Sequence, residues 1–444
     1  MNTVLKLIYV HLIFFYTINS HAQLAQGSEK FIGNIMKGST ASDVYFTLYW
    51  NQLTPENSGK WKSVEPTRDV MDWSRLDEMY DYAQKHGFPV KQHTFVWGQA
   101  QPDWITGLSA ADQKAEVEEW MQLFCGRYAS KTQWIDVVNE PLHAPPPYKD
   151  AIGGDGATGW DWVVWSFEKA RLYAPDAELI LNDYDILKSS TNTNNFIAII
   201  NLLKDSGLID GIGLQAHFLE STGADIVKVN LDKLAETGLP IYISELDIDN
   251  ANDTQQKDKY AELFPVLWEH PAVKGITFWG YGEGKMWRKQ GYLIRSDGSE
   301  RPAMTWLESY LGVDISPNDQ TAYTNHNIPG TIQAEAYDTG ANKIAFYDTD
   351  DGDHDACGRN DDVDIETSAG AGQGCNVFNV VSGEWLEYSL NEVTAGTYDI
   401  HIQMASETDG NTIRARIGNG YNYTLLGEID CPTESTGFRT GKLL

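Results

Sequence analysis

Cysteine is scarce in this chain: four in 444 residues, at Cys125, Cys357, Cys375 and Cys431. A chain of this length with so few is no disulfide-stapled miniature, so a core must hold it. Cys357 and Cys375 are the favoured pair, although sequence alone leaves the connectivity open. Positive charge is also in short supply, with 33 Lys and Arg against 63 Asp and Glu and a formal net charge of -30. The summed field of such a chain repels phosphate, which argues against nucleic acid or an anionic membrane as partner and suits neutral ligands. Past residue 22 no run is long and apolar enough to cross a bilayer. No internal repeat is visible either, which removes solenoids and propellers.

What the chain does have is material for a core, at 42% hydrophobic and 12% aromatic residues, and a length that predicts two domains. The first 22 residues stand apart. Lys6 precedes the apolar run "LIYVHLIFFYTI", and "NSHA" follows with Ser20 and Ala22 as small residues at the -3 and -1 positions. This predicts a secretory signal cleaved after Ala22, and so a secreted protein, extracellular or periplasmic, with no membrane attachment once cleaved. His11 interrupts the run and keeps an uncleaved anchor open as the alternative.

Between residues 29 and 312, β-rich apolar runs alternate with amphipathic stretches. The runs are "KFIGNI", "VYFTLYW", "FPVKQHTFVW", "WIDVVNE", "ELILNDY", "GIGLQAHF", "PIYISELDI" and "GITFWGY". Stretches such as "WSRLDEMYDYAQKHG" carry apolar residues at helical spacing and stop at Gly87. Eight strands alternating with helices predict an α/β fold, a (β/α)₈ TIM barrel over 23–312. Such barrels work at the C-terminal ends of their strands. Asn51, Glu56, Asn57, His93, Trp97, Asn139, Glu140, Gln215, His217, Glu245, Asp247 and Trp279 crowd those ends here. Residues 313–325, which lack periodicity and carry Pro, Asn and Asp, read as a linker. The short alternating runs of 326–444 read as a smaller all-β sandwich.

Two glutamates on different strand ends can meet across such a rim. Glycoside hydrolysis needs that pair, one carboxyl to protonate the leaving oxygen and one to attack or to activate water. Asn139 beside Glu140 is placed to hold a sugar hydroxyl. Asp247, two residues past Glu245, shares its strand face, and with His217 it predicts a relay that keeps Glu245 ionised. Trp97, Trp279 and Trp287 offer flat faces for sugar rings, whereas Trp120, Trp165 and Trp268 fall in helical patterns and read as packing. Cys125, on a predicted helix, reads as buried and inert.

Six stretches in order, "YWNQLTPENSGKW", "HTFVW…QPDW", "DVVNEP", "GIGLQAH", "ISELDI" and "GITFWG", resemble the glycoside hydrolase family 10 endo-β-1,4-xylanases. The resemblance implies a retaining mechanism with Glu140 as acid/base and Glu245 as nucleophile, and no cofactor for catalysis. It implies xylose contacts from Glu56, Asn57 and Lys60 in the distal glycone subsite. His93, Trp97, Asn139, Gln215, His217, Trp279 and Trp287 would surround the cleavage point. Two positions depart from the family's pattern: Gly98 stands where a histidine is usual, and Ala100, with Gln101 adjacent, where a glutamine is usual. Gly98 predicts open room on the glycone side for a decorated or kinked chain. The long insertion "LHAPPPYKDAIGGDGATGW" after Glu140 is expected to shape the aglycone side.

The tail resembles a family 6 carbohydrate-binding module through "IQAEAYD", "RNDDVDIE", "GEWLEY" and "AGTYDI". That resemblance implies a structural calcium held partly by Glu335. It leaves the module incomplete at Leu444, with Gly358 where an aromatic is usual and Phe438 as a substitute platform. The acidic stretch "DTDDGDHDACGRNDD" has its glycine misplaced for an EF-hand and reads as a solvated loop, with a calcium site of another kind as the alternative. The expected function is endo-acting hydrolysis of xylan, or of a related plant or algal polysaccharide, by a monomer. A hydrolase of a related β-glycan such as mixed-linkage xylan and a non-catalytic polysaccharide-binding barrel are the alternatives.

Overall fold

A computed structural model describes residues 23–37, 46–296, 298–313, 320–340, 344–348, 359, 363–367, 374–404, 406, 411–419, 422–431 and 439–443. The predicted signal segment, Cys357, Gly358, Phe438 and most of the acidic stretch lie outside these residues.

Eight parallel strands make one sheet: β1 (Phe31–Met36), β2 (Leu53–Pro55), β3 (Lys91–Val96), β4 (Trp134–Asn139), β5 (Glu178–Asp183), β6 (Gly211–Leu214), β7 (Ile241–Leu246) and β8 (Val273–Phe278). The hydrogen-bonded order runs β2-β1-β8-β7-β6-β5-β4-β3. A parallel bridge between Leu53 and Val90, beside the Leu53 N–H to Pro89 carbonyl bond of 3.1 Å, joins the two ends and closes the barrel. These strands are buried along nearly their whole length, which explains why they read as unbroken apolar runs.

The helices are α1 (Phe46–Tyr49), α2 (Trp61–Val64), α3 (Ser74–Lys85), α4 (Ala110–Tyr128), α5 (Asp161–Tyr173), α6 (Ser190–Asp205), α7 (Ala224–Ala235), α8 (Asp253–Trp268) and α9 (Pro302–Leu311). Three of the longer ones start on capping side chains. The Ser109 hydroxyl accepts from the Asp112 N–H, that of Ser189 from Asn192, and the Asn252 amide oxygen from Gln255. As expected, Trp120 and Trp165 are buried packing residues, and Trp268 lies against the same core. Cys125 is buried, free and has its thiol pushed up to about 12 by burial, which leaves it unreactive at neutral pH.

One strand was misplaced by the apolar pattern. Residues 46–49 of "VYFTLYW" form α1, and the second strand is the short Leu53–Pro55. A short run buried on all sides carries no periodicity, so it looks the same whether helix or strand. Trp50 settles the local geometry: its ring packs 5.2 Å from Phe278 and 5.3 Å from Tyr281 at the end of β8.

The tail is built of two-stranded pairings: His326–Ile328 with Leu390–Val393, Phe346–Tyr347 with Trp385–Leu386, Ile365–Thr367 with Cys375–Val377, Ile400–Met404 with Arg439–Leu443, and Thr412–Asn419 with Asn422–Asp430. Tyr337, Ala345, Phe346, Val363 and Ile365 form its larger core cluster. Thr321 pairs with Thr339, and the Gln320 amide donates to Asp338 at 2.6 Å, inside the span that composition marks as linker. Cys375 is disulfide-bonded and Cys431 is free.

Candidate active site

The polar strand ends converge as expected, except for Asn51, which precedes β2 and accepts the Ile32 N–H at 2.9 Å near the start of β1. Glu140 follows β4 immediately, in a left-handed conformation (φ 57°) that a non-glycine residue adopts only when its surroundings hold it there. Its N–H donates to the Asn182 carbonyl at 2.8 Å. The residue is 7% exposed. Oε2 accepts from the Trp97 indole at 2.9 Å and Oε1 from Gln215 at 3.1 Å. Burial raises its pKa, the two donors oppose that, and the charges of Glu245 and Asp183 push it up further.

Glu245, in β7, is 4% exposed yet set the opposite way. Burial alone would raise its pKa. The His217 bond at 3.2 Å and the nearby His93, His217 and Lys91 outweigh it and hold the carboxyl at about 2. His217 Nδ1 stands 3.0 Å from Asp247, an ion-pair distance without hydrogen-bond geometry, so on that side charge rather than a hydrogen bond links the predicted relay. Burial disfavours the imidazolium, but Asp247 and Glu245 raise its pKa to about 9. Asp247 is itself held by the Trp287 indole and Arg288, each at 2.8 Å.

Amides join the two carboxyls. Asn182 Nδ2 reaches both Glu245 Oε1 and Asn139 Oδ1 at 2.8 Å, and Gln215 Nε2 reaches Asn139 Oδ1 and Glu140 Oε1 at 3.1 Å. Asn182 is absent from the residues expected from sequence. Its signal was present, because "ELILNDY" ends on a polar pair just as "DVVNE" does. Ser244 locks its orientation by donating to Oδ1 at 2.6 Å. The glycine in "GIGL" makes the space: a Cβ on Gly213 would stand 2.5 Å from Asn182 Oδ1.

Around this centre, Lys60 donates to Asn57 at 2.9 Å and lies 5.0 Å from the centroid of the Trp97 ring. Its pKa is lowered, chiefly by burial and against the pull of Glu245, Glu56 and Glu140. Glu56 is buried, pairs with Lys37 at 3.4 Å and keeps Oε2 without a hydrogen-bond partner. Asn57 is exposed. The Trp279 ring is buried and meets His93 edge-on at 5.1 Å, while Trp287 is 46% exposed beside His217. His93 lies beneath the rim with Nδ1 committed to Asp136 at 2.9 Å, and Lys91 stands 3.3 Å from the same carboxylate oxygen. Lys91 and Asp136 were not anticipated, because sequence cannot distinguish a buried ion pair from two strand residues facing water.

The expectation of open room at Gly98 is overturned. A Cβ there would lie 2.5 Å from the Ala144 carbonyl oxygen and 2.6 Å from that of Pro145. The insertion after Glu140 fills the space. Glu335, in the one-turn helix Ala334–Ala336, is half-buried, and its Oε2 is shielded with no hydrogen-bond partner. Among the described residues, no group of three His, Cys, Asp or Glu close enough to share a cation includes it.

A closed barrel carrying two buried carboxyls at its C-terminal rim, their pKa values pushed in opposite directions, defines a class of proteins that perform acid–base chemistry with paired glutamates. The chain belongs to glycosyl hydrolase family 10, whose model matches residues 20–310. It is similar to Endo-1,4-beta-xylanase B of Cellvibrio japonicus, 45% identical over 289 residues, covering 64% of this chain and 46% of that protein. It is also similar to Beta-1,4-xylanase of Dictyoglomus thermophilum, 31% identical over 296 residues, covering 59% and 81%. The match therefore spans under half the length of the first relative. The native xylanase 10B structure from Thermotoga maritima aligns with a TM-score of 0.58 at 27% identity, covering 65% of this chain and 97% of that one. In the tail, residues 359–434 match the carbohydrate binding module (family 35) model, so the module reading stands with family 35 rather than family 6 as its match.

Proposed function

We propose that this chain is an endo-1,4-β-xylanase that cleaves xylan with retention, Glu140 serving as acid/base and Glu245 as nucleophile. The observation that carries the reading is the meeting of two buried glutamates at one rim, bridged by Asn182, Asn139 and Gln215, with the Glu140 pKa pushed up and that of Glu245 pulled down. In the first step a Glu245 oxygen attacks the anomeric carbon while Glu140 gives its proton to the departing glycosidic oxygen. This leaves a xylosyl ester on Glu245 and an ionised Glu140. Ester formation removes the Glu245 charge that helped to raise the Glu140 pKa. Glu140 is thereby suited to the second step, in which it takes a proton from water as the water attacks and frees Glu245. Lys60, Asn57 and Glu56 would grip the glycone, and Trp97, Trp279 and Trp287 would flank the sugar rings.

Proton NMR of xylohexaose digestion tests the mechanism. The first-formed reducing ends should be the β-anomer, and initial α-product would rule out the double displacement.

For the tail we propose retention on insoluble polysaccharide. Deleting residues 326–444 should leave kcat/KM on soluble oligosaccharides within about twofold, because every side chain of the site comes from the barrel. Pull-down on insoluble xylan should fall, and an unchanged pull-down would show that this copy does not bind. A calcium at Glu335 is a further proposal, supported by the shielded Oε2, and a thermal melt of the module before and after chelation tests it. Export after cleavage at Ala22 rests on Lys6 and the apolar run behind it. A monomer rests on the site needing no second copy. N-terminal sequencing of the secreted protein and sedimentation velocity test these two readings.

A further inference from the structure

Gly98 lies in a ring of contacts that meets Glu140 at both ends. The Glu140 carbonyl accepts the Ala144 N–H at 2.8 Å and that of His143 at 3.1 Å, so the turn after β4 folds back on the residue that starts it. The Ala144 carbonyl accepts the Gly98 N–H at 3.0 Å. Next to Gly98, the Trp97 indole donates to Glu140 Oε2 at 2.9 Å. The path runs from the backbone of Glu140 through Ala144, Gly98 and Trp97 to the carboxyl of the same residue.

There is no spare room in this ring. The atoms that a Cβ at residue 98 would meet are Ala144 O at 2.5 Å, Pro145 O at 2.6 Å and Pro145 C at 2.9 Å. All three are backbone, so no rotamer change relieves the overlap. Nor can the turn easily retreat. Asp183, fully buried, accepts the Leu142 N–H at 2.9 Å and the His143 imidazole at 2.6 Å, and Pro145, Pro146 and Pro147 have fixed φ. Beyond them Tyr148 is buried against Trp61, 6.0 Å between ring centroids. The Trp97 side of the ring, partly exposed, is the one that must give.

We infer that Gly98 is a positioning residue for the Glu140 carboxyl: its missing side chain lets the Ala144–Pro145 turn rest on the Trp97 segment and so holds the indole N–H against Oε2. This rests on the acid/base role proposed for Glu140, and it replaces a sugar-facing role for residue 98 with an internal one. A donor to a carboxylate favours its ionised form. Widening the ring therefore weakens that donation and lets Glu140 keep its proton to higher pH.

The experiment is Gly98→Ala, with kcat/KM followed against pH on two substrates. Xylohexaose has a poor leaving group that needs the proton. Dinitrophenyl xylobioside has one that does not. On xylohexaose kcat/KM should fall about tenfold, within the 10²-fold that a ~1 Å misplacement can cost, and its alkaline limb should move to higher pH. On the dinitrophenyl substrate it should stay within about twofold. Trp97→Phe, which removes the donor without adding an atom at residue 98, should move the limb the same way. The double variant should move it no further than Trp97→Phe alone. Equal losses on both substrates, or an unmoved alkaline limb, would overturn the inference. If the Gly98→Ala protein does not accumulate, Pro145→Gly loosens the same turn and is read by the same two measurements. Failure of the acid/base role itself would appear separately, as a Glu140→Ala enzyme that loses the same factor on xylohexaose and on the dinitrophenyl substrate.

Discussion

Glu245→Gln should lower turnover on xylan by at least about 10⁴-fold and leave no glycosyl-enzyme to trap, an effect on the scale seen when other enzymes lose their nucleophile. Glutamine preserves the shape that Asn182 and His217 pack against, but its amide cannot form an ester with the anomeric carbon. The choice matters because alanine would strand His217 between Asp247 and an empty space, and breaking a buried pair costs about 3–5 kcal/mol on its own. Wild-type enzyme incubated with a 2-fluoro xylobioside should gain the mass of one glycosyl group on the peptide holding Glu245. The Glu245→Gln protein should gain none. A label on any other carboxylate would assign the nucleophile elsewhere.

The second large effect belongs to Glu140. Glu140→Ala should cost on the order of 10²–10⁴ in kcat/KM on xylan, where an alkoxide cannot leave without a proton. On an aryl xylobioside whose phenolate leaves unaided, the covalent intermediate should still form at near wild-type rate and then persist, because the base for the second step is also missing. Azide, which needs no base, should release it as the β-xylosyl azide. A uniform loss across leaving groups, with no azide product, would remove Glu140 from the acid/base role.

How much of this was legible beforehand follows from what each signal depends on. Seven of the eight strands are visible because burial on both faces writes itself as an apolar run. The second is not, because Leu53–Pro55 is too short to stand out beside the more apolar α1. Glu140, Glu245, His217 and Asp247 are legible because charged and polar residues at the end of a buried run have few structural reasons to be there. Asn182 ends its run in the same manner, but an amide carries a weaker chemical signal than a carboxylate. Gly98 is illegible for a different reason. A glycine shows that a side chain is missing, and only the path of a segment more than forty residues away shows what took its place.

The chain from Arg288 through Asp247 and His217 to Glu245 also bears on how this protein meets acid. A carboxylate held at about 2 in the folded protein, against roughly 4.3 when unfolded, stabilises the fold by roughly 3 kcal/mol above that higher value. That contribution drains away as pH falls through the interval between the two. His217, held at about 9, is a cation throughout that interval, so each proton taken up by Glu245 leaves a buried positive charge with one fewer counter-charge. Souring the medium would therefore weaken the barrel over the same range in which it neutralises Glu245. The acid edge of activity and part of the acid loss of stability thereby share one buried carboxylate.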